Sequence, residues 1–272
     1  MKKFLKRSVK PSKDNIIGKV PRPPIELKSA SELAVMRAAG RKAAEVLQKV
    51  SKSLRAGITT KQLDEIALNE IRSLGAKPAF LGYRDYPATA CISINNELVH
   101  GIPSSSRVIK DGDIVSIDLG VIHEGYYGDT AATYAVGNIS QETQKLINVT
   151  RESLELAIAQ AKPGKRLGDI SWAVQAYAEN NGFSVVRDYC GHGVGRRLHE
   201  EPSIPNFGKP NSGIRLIPGM VLAIEPMINQ GNYDVKTLGD GWTVVTEDGK
   251  LCAHFEHMVA VTEDGNEVLT RI

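Results

Sequence analysis

Two rounds of one element order predict a pseudo-symmetric α/β fold for this 272-residue chain. Each round reads as helix, helix and then strands, and the second round begins near Ser140. Capping residues ahead of apolar stripes, glycine stops, and alternating apolar runs after each helix pair are the observations that predict it.

Residues 1–28 read as a basic extension. Asp14 is its only acid before Glu26, and Pro21-Arg22-Pro23-Pro24 is an extended, polyproline-prone stretch. Its ordinary role is a solvated tail, and its sharper one a docking arm for an acidic partner such as ribosomal RNA. The ordered domain is expected over residues 29–272. Ser29-x-x-Glu32 has the form of a capping box, and Leu33, Met36, Ala43 and Leu47 continue it as a helical stripe up to Gly57. Thr59-x-x-Gln62 opens a second helix through Leu63, Ile66, Ala67 and Ile71, stopped by Gly75. Strands are expected near 91–95, 114–122 and 126–136. Ser140 caps a third helix through Leu146, Leu154 and Ile158. A fourth runs from about Leu167 to the Gly182 stop, followed by strands near 184–190, 220–228, 242–246 and 252–262.

The bulk numbers exclude several classes. A 42% hydrophobic and 24% charged composition is ordinary for a globular domain. The net charge of +3 argues neither for nor against nucleic acid as the main partner; no DNA partner is expected. Cys91, Cys190 and Cys252 are odd in number and widely spaced, so neither a disulfide framework nor a CxxC metal motif is present. A reducing, cytoplasmic setting fits best. No apolar run approaches the roughly 20 residues of a membrane span, and no apolar segment follows the charges of Met1 to Ser8, so neither a membrane anchor nor a secretory signal is expected.

Four stretches could carry chemistry. Val115 to Val121 alternates apolar residues with Ser116, Asp118 and Gly120 on the other face. A hairpin with its tip at His123-Glu124 would set Asp118 directly opposite Asp129. Two carboxylates that close need a cation or a shared proton between them, or else are unrelated surface acids. From the hairpin alone the surface reading is the ordinary one. Gly191-His192-Gly193-Val194-Gly195 matches neither phosphate-loop pattern, and a lone histidine there is more often structural. Glu225 and Glu256 each lie inside an apolar, strand-like run, where an unneutralised carboxylate is costly. Together Asp118, Asp129, His192, Glu225 and Glu256 form an oxygen-rich set with one imidazole. That donor set suits two divalent ions bridged by carboxylates and, lacking thiolates, is no structural zinc site.

The order and wording of these stretches resemble the type I methionine aminopeptidases of the pita-bread metallopeptidase superfamily. The resemblance rests on Asn95 to Pro103 (NNELVHGIP), Asp111 to Asp118 (DGDIVSID), Gly128-Asp129-Thr130, Gly191 to Gly195 (GHGVG), His199 to Pro202 (HEEP), Ile224 to Met227 (IEPM) and Phe255 to Met258 (FEHM). It implies an α+β fold with pseudo-two-fold halves, in which a curved antiparallel sheet is backed by helices. The implied activity is removal of the initiator methionine from nascent polypeptides when the second residue is small. The implied cofactor is a pair of divalent ions, cobalt, manganese, iron or zinc. Asp118 would chelate one ion, Asp129 and Glu256 would bridge, and His192 and Glu225 would complete the second site. Glu225 would also move the water's proton. His100 would contact substrate near the scissile nitrogen, and His199 would stabilise the oxyanion. Tyr83, Tyr86, Cys91 and Trp242 would form the methionine pocket, which departs from the pattern of bacterial members at Phe80 and Leu198. A monomer is implied.

His254, on the face of Glu256, is either beside the site or an exposed histidine. His257 should point away, and Cys190 and Cys252 read as small core residues. Two rivals remain. One is a proline-directed peptidase sharing all five ligands, but usually carrying a larger N-terminal domain. The other is a metal-free peptide-binding relative, which should have lost ligands.

Overall fold

The computed structural model describes residues 24–272. The N-terminal part of the basic extension, residues 1–23, lies outside the described residues. The helices begin where their caps predict. Helix α1 (Ala30–Ser53) starts at a full capping box between Ser29 and Glu32, and α2 (Thr60–Ser73) at one between Thr59 and Gln62. Each box satisfies amide donors that the first turn would leave orphaned. Helix α3 (Gln141–Ile158) has Ser140 accepting from the Thr143 amide, and α4 (Leu167–Asn180) completes the second pair.

Every named strand pair is antiparallel. The architecture is therefore α+β, and the α/β pattern suggested by element order contains no parallel crossover. In the first half, Ile114–His123 pairs with Ala90–Ile94 on one edge and Tyr126–Ala135 on the other. In the second, five strands run in the spatial order Asn266–Val268, His257–Val261, Val221–Ile224, Cys190–Gly193, Glu200–Pro205. An isolated bridge between Ala131 and Glu256 joins the two sheets.

Each half has its own apolar core. Val46, Leu63 and Ile71 from the first helix pair pack with Ile92, Ile117 and Leu119. Leu146, Leu154 and Ile170 from the second pack with Leu222, Ile224 and Val259. At about 1.5–3 kcal/mol per fully buried aliphatic side chain, these layers hold helices to sheets. A third cluster bridges the halves, with Met36 and Tyr126 against Val221, Ala223 and Met258.

Three sequence expectations change. The hairpin register places Asp118 opposite Ala131 and Asp129 opposite Gly120, so the two aspartates are diagonal neighbours. The turn is Glu124-Gly125, with φ of 49° and 82°. This left-handed pair suits the right-handed strand twist and moves the tip one residue along. The single strands expected at 184–190, 220–228 and 252–262 are each interrupted, giving Ser184–Val185 and Cys190–Gly193, Val221–Ile224 and Met227–Asn229, and Cys252–His254 and His257–Val261. Pro226 cannot donate to a ladder, which explains the second break. Cys252 is buried as expected, but Cys190 is exposed. Its strand meets Val221–Ile224 only at His192 and Gly193, so Cys190 lies past the end of that ladder.

Within the extension expected over residues 1–28, Lys28 is buried. Its amide donates to the Gly219 carbonyl at 2.8 Å, and its Nζ lies 2.7 Å from Glu200 Oε2, with both side chains 3% exposed. No helix among the described residues is long and apolar enough to cross a membrane.

Candidate metal centre

The seam between the two sheets gathers the acids. His257 pairs with Ile224 and His254 with Met227, so the register is the same on both sides of the double interruption. That register sets Glu225 opposite Glu256. The Glu256 amide donates to the Ala131 carbonyl at 2.8 Å, bringing Glu256 beside the strand that carries Asp129. Asp118 faces Ala131 from the other side. His192 comes from Cys190–Gly193, whose flanking glycines permit close strand approach. A Cβ on Gly191 would lie 2.4 Å from the Ala223 carbonyl oxygen, and one on Gly193 would lie 2.2 Å from that of Glu201. These glycines serve close backbone packing.

Ligand atoms of Asp129, His192 and Glu256, all buried, lie within 4.8 Å of one another. His192 Nε2 is 3.4 Å from Glu225 Oε1 and 3.7 Å from Asp129 Oδ2. Burial holds His192 neutral at neutral pH, with its pKa down at about 4. Its Nδ1 lies 2.9 Å from the Gly193 carbonyl oxygen. A carbonyl only accepts, so Nδ1 carries the proton and Nε2 presents a lone pair to the carboxylates. Lone pairs facing lone pairs repel unless an electrophile lies between them.

The carboxylates show the same need. Burial raises the Asp118 carboxyl well above its usual range, and the charge of Asp129 raises it further. Burial likewise raises Glu225 and Glu256, reinforced for both by Asp129, and lifts Asp129 to about 7. Asp118 Oδ1, Asp129 Oδ1 and Glu256 Oε1 are buried without a hydrogen-bond partner among the described residues. Orphaned acceptors are expensive in an apolar setting. Hard oxygen donors with one imidazole lone pair therefore fit divalent cations.

A cavity of about 150 Å³ opens beside Asp129. Its lining includes Phe80, Tyr86, Cys91, Leu198 and Trp242, with Tyr83, His100 and His199 completing the wall. Trp242 packs edge-on against Tyr86 at 5.0 Å and against His100 at 6.0 Å. Burial pushes the Cys91 thiol up, keeping it an uncharged, soft wall. His199 stacks on Tyr83 at 5.4 Å, its Nδ1 lies 2.8 Å from the Tyr83 hydroxyl, and its ring is 4.3 Å from that of His192. Burial lowers the pKa of His100 to about 4 and that of His199 to about 3, so both are neutral at pH 7. His100 sits at a left-handed φ of 62° where the chain leaves Glu97–Val99. A larger groove of about 730 Å³ lies between α1 and α3 and is lined by none of the five clustered residues.

All eleven site residues proposed from the sequence thus surround one cavity and one acid cluster. Two more belong to the same region. Arg84 lines the cavity, but an exposed arginine in a turn gives no sequence signal. His254 is 1% exposed and lies 3.7 Å from Glu225, and of its two expected placements this is the buried one. His257 points away, its Nδ1 2.9 Å from the Thr270 hydroxyl.

Known proteins match this chain closely. Methionine aminopeptidase 1 of Bacillus subtilis (strain 168) is 57% identical over 245 residues, covering 90% of this chain and 98% of that protein. The methionine aminopeptidase of Clostridium perfringens is 54% identical over 91% of this chain and 99% of its own. A crystal structure of methionine aminopeptidase from Thermotoga maritima superposes with a TM-score of 0.90 at 48% identity, covering 92% of this chain and all of that one. The pita-bread fold implied by the sequence is thus the observed one. The model of metallopeptidase family M24 spans residues 34–263, which include every acid of the cluster, and the chain belongs to that family.

Proposed function

We infer that this chain is a methionine aminopeptidase, a metallo-exopeptidase that hydrolyses the bond after an N-terminal methionine when the second residue is small. The observation that carries the reading is the position of the cavity. An apolar space sized for one unbranched side chain, walled by a thiol and aromatics, opens directly onto the carboxylate cluster. A flexible thioether suits such a soft, irregular wall. A terminal amine suits the acids beside it, and an internal residue has none to offer.

In this reading the cofactor is a pair of divalent ions, drawn from cobalt, manganese, iron and zinc. Asp118, Asp129, Glu225 and Glu256 would hold the pair through carboxylate oxygens, and His192 through its Nε2 lone pair. Bound there, the pair supplies Lewis-acid polarisation of the carbonyl and acidifies the attacking water. Glu225 would take that water's proton and return it to the leaving nitrogen, a task open to a carboxylate placed beside the ions and the cavity. If the Tyr83 hydroxyl donates to His199 Nδ1, the proton of His199 sits on Nε2 and is available to the developing oxyanion. His100 contacts the substrate near the leaving nitrogen. The preference for a small second residue is carried over from the family that the chain resembles.

The substrates are N-termini of nascent polypeptides, the setting is cytoplasmic, and the protein acts as a monomer with neither DNA nor membrane as partner. Residues 1–28 tether it to ribosomes in this proposal. Deleting residues 1–23, which leaves Lys28 in place, should weaken co-sedimentation with ribosomes at low salt; unchanged binding would remove the tether. The main test is hydrolysis of Met-Ala-Ser, Met-Leu-Ser and Ala-Pro-Ser by purified protein, with manganese or with chelator. Fast, chelator-sensitive release from Met-Ala-Ser alone is expected. Preference for Ala-Pro-Ser would favour a proline-directed peptidase, and no hydrolysis with no bound metal would favour a peptide-binding relative.

A further inference from the structure

His254 is the one imidazole of the region with no role so far, and its environment is unusual. The residue is 1% exposed, and neither ring nitrogen has a hydrogen-bond partner among the described residues. Its Nε2 lies 3.7 Å from Glu225 Oε2, while the other oxygen of that carboxylate lies 3.4 Å from His192 Nε2. The Glu225 carboxylate thus lies between two imidazoles. They differ in one respect. The Gly193 carbonyl fixes the proton of His192 on Nδ1, leaving a lone pair toward the acid cluster. Among the described residues no carbonyl fixes the tautomer of His254, and a proton on Nε2 would face Glu225 Oε2, 3.7 Å away, as a donor toward a carboxylate.

The backbone of His254 is held for such a task. The Thr133 hydroxyl donates to the His254 carbonyl at 2.8 Å and accepts from the His254 amide at 2.9 Å. With its one proton committed, Thr133 accepts from the Ser116 hydroxyl at 2.7 Å. A chain from Ser116 through Thr133 therefore fixes the Cα of His254 across the seam, on the sheet face that also carries Asp118.

We propose that His254 is a positioning residue whose Nε2–H holds the outer oxygen of Glu225, fixing the rotamer in which that carboxylate can exchange a proton with substrate. It touches no substrate itself. The inference rests on the role given to Glu225 above. Groups that orient a ligand carboxylate are worth about ten- to a hundredfold in activity or metal affinity.

The test compares wild type, His254→Leu, which fills the space without a donor, and His254→Gln, which restores an N–H of similar reach. With manganese and Met-Ala-Ser, kcat of His254→Leu should fall about ten- to a hundredfold while KM stays within about threefold. Its Tm in chelator should equal or exceed that of wild type, because a buried unpaired imidazole has gone. His254→Gln should recover most of the lost kcat. Wild-type kcat in His254→Leu, or equal losses in both variants, would overturn the proposal, the second because it would assign the effect to ring shape. Manganese titration by calorimetry separates the two layers of argument. If wild type binds manganese but releases no methionine, the functional reading fails. His254 is then judged by manganese affinity, which should weaken in His254→Leu and recover in His254→Gln; equal affinity in all three would overturn it.

Discussion

In the N-terminal half, the two aspartates sit inside a hairpin of two unbroken strands, Ile114–His123 and Tyr126–Ala135, joined by a two-residue turn. In the C-terminal half, each glutamate sits at a gap between short strands, and the two gaps coincide. The aspartates are carried on the unbroken strands of one hairpin, and the Asp129 amide itself donates to Met258 Sδ of the other half at 3.0 Å. The glutamates lie where the ladder stops, and the Glu256 amide is satisfied by Ala131 of the other half. One half offers a preformed pair of acids, and the other is completed only by docking against it. The carboxylates needed most freedom from regular pairing where they had to turn toward a shared point.

The sharpest way to break this comparison is to neutralise one acid of the preformed side. Asp129→Asn keeps shape and removes charge, and kcat/KM should fall about a thousandfold, the equivalent of about 4 kcal/mol of lost electrophilic assistance. The same variant should show a higher Tm than wild type in chelator, because the charge that raises Asp118, Glu225 and Glu256 is gone. A lower Tm in chelator would mean that the cluster is not under electrostatic stress.

Titration of the metal-free protein probes the same stress. Asp129 is raised to about 7, so the folded state keeps a proton that the unfolded chain releases near pH 4. Stability from this group is therefore highest below the unfolded pKa and is lost as pH rises toward the folded one. In chelator, Tm should fall from pH 5 to pH 7.5, and excess manganese should flatten or reverse that slope. A Tm that rises with pH in chelator would contradict the sign.

The docking between halves can be loosened without touching an acid. Thr133→Val removes the hydroxyl that bonds both backbone groups of His254. It should lower unfolding stability by about 1–3 kcal/mol in urea titrations, with kcat falling in step if the seam positions the glutamates. The smallest effect belongs to the hairpin's own turn. Gly125→Ala places a Cβ at a φ of 82° and should lose about 1 kcal/mol, with little change in kcat.

The same contrast explains what could be read from the sequence. Helix starts were legible because Ser29, Thr59 and Ser140 announce them locally. The hairpin was legible as well, but its register was not. Glutamate is an uncommon first residue for a left-handed turn, so Glu124-Gly125 competed with a tip one position earlier. The opposition expected of Asp118 and Asp129 is instead realised by Glu225 and Glu256. That pairing depends on where two distant strands break, and Pro226 marks only one of the two breaks. The burial of His254 and the exposure of Cys190 likewise depend on which neighbouring strand extends far enough to cover them.

The buried contact of Lys28 with Glu200 carries a practical lesson. Glu200 follows His199 directly, so any cut that removes Lys28 strands an acid in the interior next to a histidine of the cavity wall. A shortened version for crystallography or assay should begin upstream of Ile25, since a domain boundary chosen from helix α1 alone would yield a disabled protein.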